Sequence, residues 1–372
     1  MRIKYYDWLK SLAMFLVISF HSCWLRGTVG ASVSMSLMPM AVPLFFMVHG
    51  ALLLPRESTL KKQAARFGKT LLQLFGWLTI YLVISLLTGL IQPETVGLRF
   101  LFSYYFCKAD SGGISVGHLW FIYALLVLYG LCPVFYACKK DGGKVLKYVM
   151  VACFVLSFLR EETLTYADFC CRKIFGAPLE ADWLWVKVGP YFNAVFWFLA
   201  GYYFTQWLPK AKLPRKRTCV ALGLCGVVLG VSLLMLERYV VFDMVKYNWK
   251  PLPQQYEKLG TLVLAFSTFF LFSQLNLSCS KESGMMQTST RGGRKNNDVL
   301  CWGNAVARTV SNYSLGIFYL HVIFIKYAYL WFYTWERAGV WQNYLRAAVV
   351  MALCWAVAWL LHKIPGVRHL VK

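Results

Sequence analysis

Long apolar runs alternate with short polar segments along almost the whole chain. A helix that crosses a bilayer needs about 20 consecutive, mostly apolar residues. Ten runs approach that length, so the pattern predicts an all-α, polytopic membrane bundle of about ten transmembrane helices in a single domain, residues 1–372. The predicted spans are residues 8–25, 37–54, 70–92, 118–137, 145–160, 188–207, 218–236, 257–275, 310–332 and 342–361.

Composition supports the same class. Of the 372 residues, 59% are hydrophobic and 15% are charged, whereas soluble proteins carry about 25% charged residues. These values exclude a disordered chain and argue against a soluble enzyme. The 15 tryptophans suit the aromatic belts found at membrane surfaces. The lipid bilayer is therefore the first predicted partner.

The net charge of +23 is distributed unevenly. Roughly two thirds of the Lys and Arg residues fall in or beside alternate segments, which the positive-inside rule assigns to the cytoplasm. These segments are the N-terminus, 55–69, 138–147, 208–217, 276–309 and the C-terminus. Both termini are therefore predicted to be cytoplasmic. The charge indicates topology, and no nucleic-acid partner is expected because no recognition module accompanies it.

Two other features complete the organisation. Residues 276–309 are rich in Ser, Gly and Asn and are predicted to form a flexible cytoplasmic loop. The 12 cysteines are scattered without a CxxC pair, so no metal site is predicted. Cys107, Cys170 and Cys171 fall in outward segments, and a disulfide among them is left open.

Four of the six histidines lie in or at the edge of predicted spans: His21, His49, His118 and His321. Ionisable groups inside a membrane are costly and usually serve a function. The alternative is a structural histidine that forms a hydrogen bond between helices.

The first span carries the most information. Lys10 and His21 are eleven residues apart, which is three helical turns plus about 20°, so they share a face about 16 Å apart along the axis. Asp7 lies about 40° from the same stripe and is expected to pair with Lys10. A ligand with an anionic head and a long arm, such as coenzyme A, would match this spacing. The alternative for Lys10 is a basic anchor at the membrane surface.

Five segments, taken in order, resemble the motifs of acyltransferase family 3 membrane proteins. That family has a basic residue, often Arg, ten intervening residues and then a histidine, and Lys10 and His21 match this pattern. At His49 the family usually has serine, so any role that needs the hydroxyl is in doubt. The segments are DWLKSLAMFLVISFH (7–21), PLFFMVHG (43–50), HLWF (118–121), YFNAVFWFLAGYY (191–203) and SLGIFYLH (314–321).

The resemblance implies a membrane-embedded, acyl-CoA-dependent O-acyltransferase. The donor would be acetyl-CoA, a co-substrate, with no metal. The acceptor would be a hydroxyl of a surface or lipid-linked glycan, and the location would be the bacterial cytoplasmic (inner) membrane. The nearest branch looks like the short bacterial O-acetyltransferases of surface glycans.

The resemblance also implies roles for individual residues. His21 would act as general base on the sugar hydroxyl, or form an acyl-histidine intermediate. His118 is the second predicted catalytic residue, and it would orient His21, bind the acceptor hydroxyls or stabilise the oxyanion. The predicted donor-binding residues are Lys10, Arg66, Asp7 and His321. The predicted acceptor-binding residues are Trp120, His49 and Asn193.

A transporter or flippase of a small molecule or glycan is the competing hypothesis. Intramembrane histidines also occur in proton relays, and Pro39 and Pro43 interrupt the second span as in broken transport helices. Against it, nearly all carboxylates lie at span ends or in loops.

Overall fold

In a computed structural model, the structure describes residues 2–22, 28–106, 113–139, 143–179, 190–242, 252, 255–275, 291–331 and 339–371. Every regular element in these ranges is helical. The helices are α1 Lys4–His21, α2 Val29–Leu37, α3 Ala41–Leu53, α4 Leu60–Leu87, α5 Leu98–Phe106, α6 Trp120–Lys139, α7 Lys144–Phe154, α8 Arg160–Phe175, α9 Pro190–Trp207, α10 Lys216–Leu236, α11 Leu259–Gln274, α12 Arg291–Trp331, α13 Val340–Lys363 and α14 Arg368–Val371.

Among these ranges, five helical runs are long and apolar enough to cross a membrane. They are Val29–Leu53, Leu60–Leu87, Gly117–Lys139, Lys216–Val241 and Val340–Lys363. The other predicted spans coincide with helices that are shorter or more polar, such as the 16-residue α11. The structure confirms an all-helical bundle with membrane-spanning helices, whereas the count of ten and the cytoplasmic termini stay predictions.

The second span begins earlier than its hydropathy predicts. The helical run starts at Val29, and a 3₁₀ turn, Met38–Met40, joins α2 to α3. Pro39 lies in this turn and Pro43 in the first turn of α3. Proline is tolerated there because the first turn of a helix leaves its N–H groups without an intrahelical acceptor. The two prolines therefore connect helices and do not end the span.

The predicted flexible segment 276–309 is helical in its second half, because α12 begins at Arg291. Contacts with α1 accompany the extension: Trp8 Nε1 donates to Asn304 Oδ1 at 2.9 Å, and Ser11 Oγ donates to the Ala307 carbonyl at 3.1 Å. Tertiary contacts override weak local propensity. Residues 276–290 lie outside the described residues.

Helix α1 is central to the packing. It contacts α3, α12 and α13, and its Leu9, Ala13 and Ile18 are fully buried. Leu9 and Ile18 point to opposite sides of α1, because nine residues correspond to a rotation of about 180°. Neighbouring helices therefore enclose α1 on more than one side and fix the directions of its other side chains.

Helices α3 and α9 approach each other closely at two glycines. A Cβ on Gly50 would collide with the Phe198 carbonyl, and a Cβ on Gly201 would collide with the Met47 backbone. Both glycines belong to segments that resemble family motifs. Their contribution is the close contact between α3 and α9, which fixes the position of His49.

Polar groups elsewhere bear on two sequence predictions. Cys170 and Cys171 are free thiols, and Cys107 lies outside the described residues.

Lys258 and Glu237 are buried and their side chains are 3.7 Å apart. They lie just beyond the ends of α11 and α10, so this pair is located at helix ends, as the sequence predicts for most carboxylates.

Candidate active site

One face of α1 borders a row of three neighbouring cavities. Lys10, Met14, Val17 and His21 recur at steps of three or four residues, which places them on one side of the helix. Lys10 borders the first and middle cavities, Met14 the middle one, and Val17 and His21 the third. The structure therefore lines the predicted Lys10–His21 stripe with internal space.

The first cavity is the widest, with about 1380 Å³ of space between protein atoms. We call it the basic cavity because Arg2, Lys10 and Arg56 border it. It shares Lys10, His49 and Tyr129 with the middle cavity, which encloses about 490 Å³. The two spaces therefore meet beside Lys10.

Lys10 and Asp7 are not paired as the sequence predicts. Asp7 accepts two hydrogen bonds of 2.6 Å from the Arg2 guanidinium, in a fork-to-fork arrangement. This hydrogen bonding raises the pKa of Arg2, although burial opposes the shift. Lys10 Nζ forms no hydrogen bond or ion pair within the described part of the chain. Arg2 therefore occupies the carboxylate, and the Lys10 ammonium stays available to an anion.

Arg66 supplies a second cation close to this region. Its guanidinium lies over the Tyr129 ring, 5.8 Å from the centroid. Its buried Nη1 has no hydrogen-bond partner in the residues that the structure describes. Because leaving a buried guanidinium nitrogen unsatisfied is costly, Arg66 is a suitable ligand for an anionic group next to Tyr129.

His49 lies on the same side as Lys10. Its Nδ1 is 2.8 Å from the Phe45 carbonyl, and the ring borders both the basic and the middle cavity. The sequence prediction grouped His49 with Trp120 as an acceptor ligand. The structure separates them, because Trp120 borders only the third cavity among the three. We therefore regroup His49 with Lys10.

The third cavity has about 380 Å³ of space between protein atoms and is bordered by His21 and His118; we call it the histidine chamber. The His21 ring centroid lies 5.2 Å from that of His321 and 6.3 Å from that of His118. The His118 and His321 centroids are 5.3 Å apart. His21 is exposed, whereas His118 and His321 are 6% and 0% exposed. Three distant segments thus bring three imidazoles together, with His21 the accessible one.

Tyr81 of α4 contacts His118. Its hydroxyl donates to the Tyr319 carbonyl at 2.6 Å and lies 3.3 Å from His118 Nε2. Because the hydroxyl hydrogen is already used, the imidazole must be the donor in the second contact. The Trp77 ring stacks on that of Tyr319 at 5.1 Å. This packing between α4 and α12 orients His118.

His321 is located in the histidine cluster and does not border any of the three cavities. Its Nδ1 bonds to the Phe318 carbonyl, which leaves Nε2 as the free nitrogen of a neutral ring. In the described ranges, this buried Nε2 has no hydrogen-bond partner. The sequence prediction gave His321 a donor-binding role, whereas the structure groups it with His21 and His118.

The chamber also has an aromatic wall. Trp120 and Tyr256 border it, with ring centroids 5.3 Å apart. Asn193 lies behind this wall, where its Nδ2 donates to Glu257 Oε1 at 3.0 Å. Asn193 borders none of the three cavities, so its position differs from the predicted acceptor contact; its partner Glu257 is the residue next to Tyr256 in the sequence.

Sequence reasoning missed the aromatic residues that complete the site: Tyr81, Phe121, Tyr129, Tyr256 and Phe318. Phe121 and Phe318 each lie three residues from a cluster histidine, His118 and His321 respectively. That spacing places each ring one turn from a histidine, and it is the signal that could have found them.

Comparisons with known proteins complete these observations. A family model described as an acyltransferase domain, that of acyltransferase family 3, matches residues 3–363. The match covers nearly the whole chain and includes every residue named in the candidate site except Arg2. No curated protein and no solved structure matches the chain.

Proposed function

We propose that this chain, which belongs to acyltransferase family 3 and is a membrane acyltransferase, moves an acetyl group from cytoplasmic acetyl-CoA to a hydroxyl of a surface or lipid-linked glycan. One observation carries the proposal. A single face of α1 lines a row of cavities with an unpaired ammonium, Lys10, at one end and an accessible imidazole, His21, at the other.

The basic cavity suits the nucleotide end of the donor. Lys10 and Arg66 form no direct ion pair with a carboxylate in the described part of the chain, and Arg56 borders the basic cavity with Lys10. Phosphate groups supply the charge and the hydrogen-bond acceptors that these side chains need. The axial distance of about 16 Å from Lys10 to His21 then matches the length of a pantetheine arm.

His21 suits the role of general base. It removes the proton from the acceptor hydroxyl as that oxygen attacks the thioester carbonyl. When the tetrahedral intermediate collapses and the carbon–sulfur bond breaks, the His21 imidazolium returns the proton to the leaving thiolate. A positioned general base contributes about 10²–10⁴-fold in rate.

His118 and His321 support His21 from behind. Tyr81 orients His118, and the Phe318 carbonyl fixes the tautomer of His321 with Nε2 as the acceptor. An acceptor nitrogen beside His21 favours one orientation of the His21 ring, and through it the nitrogen that faces the substrate.

The acceptor would lie against Trp120 and Tyr256. Aromatic rings with a polar edge suit a sugar, which offers an apolar ring face and peripheral hydroxyls. A glycan that approaches from the outer side would reach His21 without entering the basic cavity. This arrangement fits cytoplasmic termini and a location in the bacterial inner membrane.

The direct test uses the purified protein in detergent or liposomes. Incubation with [¹⁴C]acetyl-CoA and a glycan acceptor is expected to give labelled glycan and free CoA, with slower hydrolysis when the acceptor is left out. Solute counterflow without any dependence on CoA would contradict the proposal and would indicate transport.

The cellular test compares glycans from cells with and without the gene. Mass spectrometry is expected to find an envelope glycan that is one acetyl unit, about 42 Da, lighter in the deleted strain. Expression of a His21→Ala chain should leave that glycan unmodified. Identical glycan masses in all strains would contradict the proposed acceptor class.

A further inference from the structure

The middle cavity and the histidine chamber are divided by two phenylalanines. Phe121 of α6 and Phe318 of α12 border both spaces, and they are the two residues common to both linings in the part of the chain that the structure describes. Their ring centroids are 5.3 Å apart, and they are 6% and 5% exposed. The rings therefore close the path between Lys10 and His21.

Each of the two rings also packs against other aromatic residues of the site. Phe121 contacts Phe45, which borders the middle cavity, with centroids 5.7 Å apart. Phe318 lies 5.3 Å from the His118 ring and 5.6 Å from the His321 ring. Any molecule that reaches His21 from the basic cavity must displace rings that pack against the histidines.

The space beyond the two rings is smaller than the basic cavity, and most of the residues that border it are apolar or aromatic. The chamber encloses about 380 Å³, compared with about 1380 Å³ in the basic cavity. Val17, Met38, Ala41 and Val42 border it together with the aromatic wall. This space must hold the acyl group together with the attacking sugar and the thioester end of the pantetheine arm, so the acyl chain has to share it with two other groups.

We propose that Phe121 and Phe318 form a constriction that the pantetheine arm passes and that restricts the donor to short acyl chains. The inference rests on the proposed function and assigns its acyl-length specificity to two residues. A pocket discriminates by about 10–200-fold for one methylene group. A constriction with a small chamber behind it therefore suffices to separate acetyl from chains several carbons longer.

The experiment measures turnover with acetyl-, butyryl- and octanoyl-CoA for the intact chain and its variants. Phe121→Ala and Phe318→Ala are expected to raise the octanoyl-to-acetyl ratio of kcat/KM at least about tenfold. Val17→Phe fills part of the chamber and should lower the butyryl-to-acetyl ratio of kcat/KM. Phe46→Leu is the matched control, because Phe46 contacts Phe121 at 5.0 Å but borders neither cavity; its ratio should equal that of the parent.

The outcomes separate the two proposals. If Phe121→Ala is active with the parent's chain-length ratio, the constriction is overturned and the acyltransferase function stands. If the alanine variants do not fold, Phe121→Leu and Val17→Phe decide, and unchanged ratios in both overturn the inference. If the parent chain turns over no acyl-CoA of any length, the proposed donor is wrong, and the proposed role of the constriction is wrong as well.

Discussion

The basic cavity and the histidine chamber lie along the same helix but differ in charge. The basic cavity is bordered by three cationic side chains, and its one carboxylate in the described residues, Asp7, is held by Arg2. The chamber, within the same limits, is bordered by imidazoles, aromatic rings and aliphatic side chains without a carboxylate, ammonium or guanidinium. The charged groups that would bind the donor therefore lie in one region, and the groups proposed to carry out the chemistry lie in another.

The separation has a physical purpose. Fixed charges beside a general base would shift its proton affinity, whereas an apolar chamber strengthens the few dipoles directed at the reacting atoms. Changes in the chamber should therefore alter the rate of transfer, and changes in the basic cavity should alter the binding of the donor.

The largest expected effect is at His21. Replacement by alanine removes the proposed base, so kcat should fall by about 10²–10⁴-fold while the KM for acetyl-CoA changes little. Steady-state release of CoA measures both constants. His369→Ala changes an exposed histidine outside the three cavities and should retain parental rates. Near-normal transfer by a folded His21→Ala protein would remove His21 from the mechanism.

Lys10→Ala tests the other end of the stripe. Loss of one charged hydrogen bond to phosphate should raise the KM for acetyl-CoA by about 10–100-fold, with little change in the acceptor KM. Lys10→Arg should restore most of the affinity. Lys69→Ala is the control, since Lys69 is an exposed cation that borders none of the three cavities. If Lys10→Ala alters only membrane insertion, Lys10 is a surface anchor.

Arg66→Gln should raise the KM for acetyl-CoA less than Lys10→Ala does. Arg66 lies beside Tyr129 and borders none of the three cavities directly, so its charge is farther from the proposed phosphate site than that of Lys10 and is screened more. We expect a rise of about 3–10-fold in the KM for acetyl-CoA, reduced further at high ionic strength. An effect on the acceptor KM alone would place Arg66 in the wrong region.

Trp120→Leu is expected to give the smallest change in KM, and this change should concern the acceptor instead of acetyl-CoA. The loss of one aromatic contact should raise the acceptor KM by about 2–10-fold and leave the acetyl-CoA KM unchanged. Trp207→Leu is a suitable control, because Trp207 is 51% exposed and borders none of the three cavities. A matching rise in the donor KM would contradict the division between the two regions.

The sequence predicted the α1 stripe because helical period alone puts Lys10 and His21 on one face. It predicted the pairing of Asp7 wrongly, because Arg2 lies outside the helical pattern and reaches back by a route that spacing does not encode. Phe121 and Phe318 were missed, since phenylalanines in membrane spans usually face lipid or the core. The grouping of His49 depends on the close contact between Gly50 and α9, which only tertiary packing reveals.

The most direct test of the α1 stripe uses the thiol of CoA as a probe of depth. Two variants, Val17→Cys and Ile3→Cys, are each treated with CoA disulfide in the presence and absence of excess desulfo-CoA. Mass spectrometry then quantifies the peptides that carry CoA at the introduced cysteine. We predict modification at position 17 that desulfo-CoA suppresses and that Lys10→Ala reduces, at a higher level than at position 3, which borders the basic cavity. Suppressible modification at position 3, with none at position 17, would show that the thiol end of the donor does not reach His21 and would contradict the account.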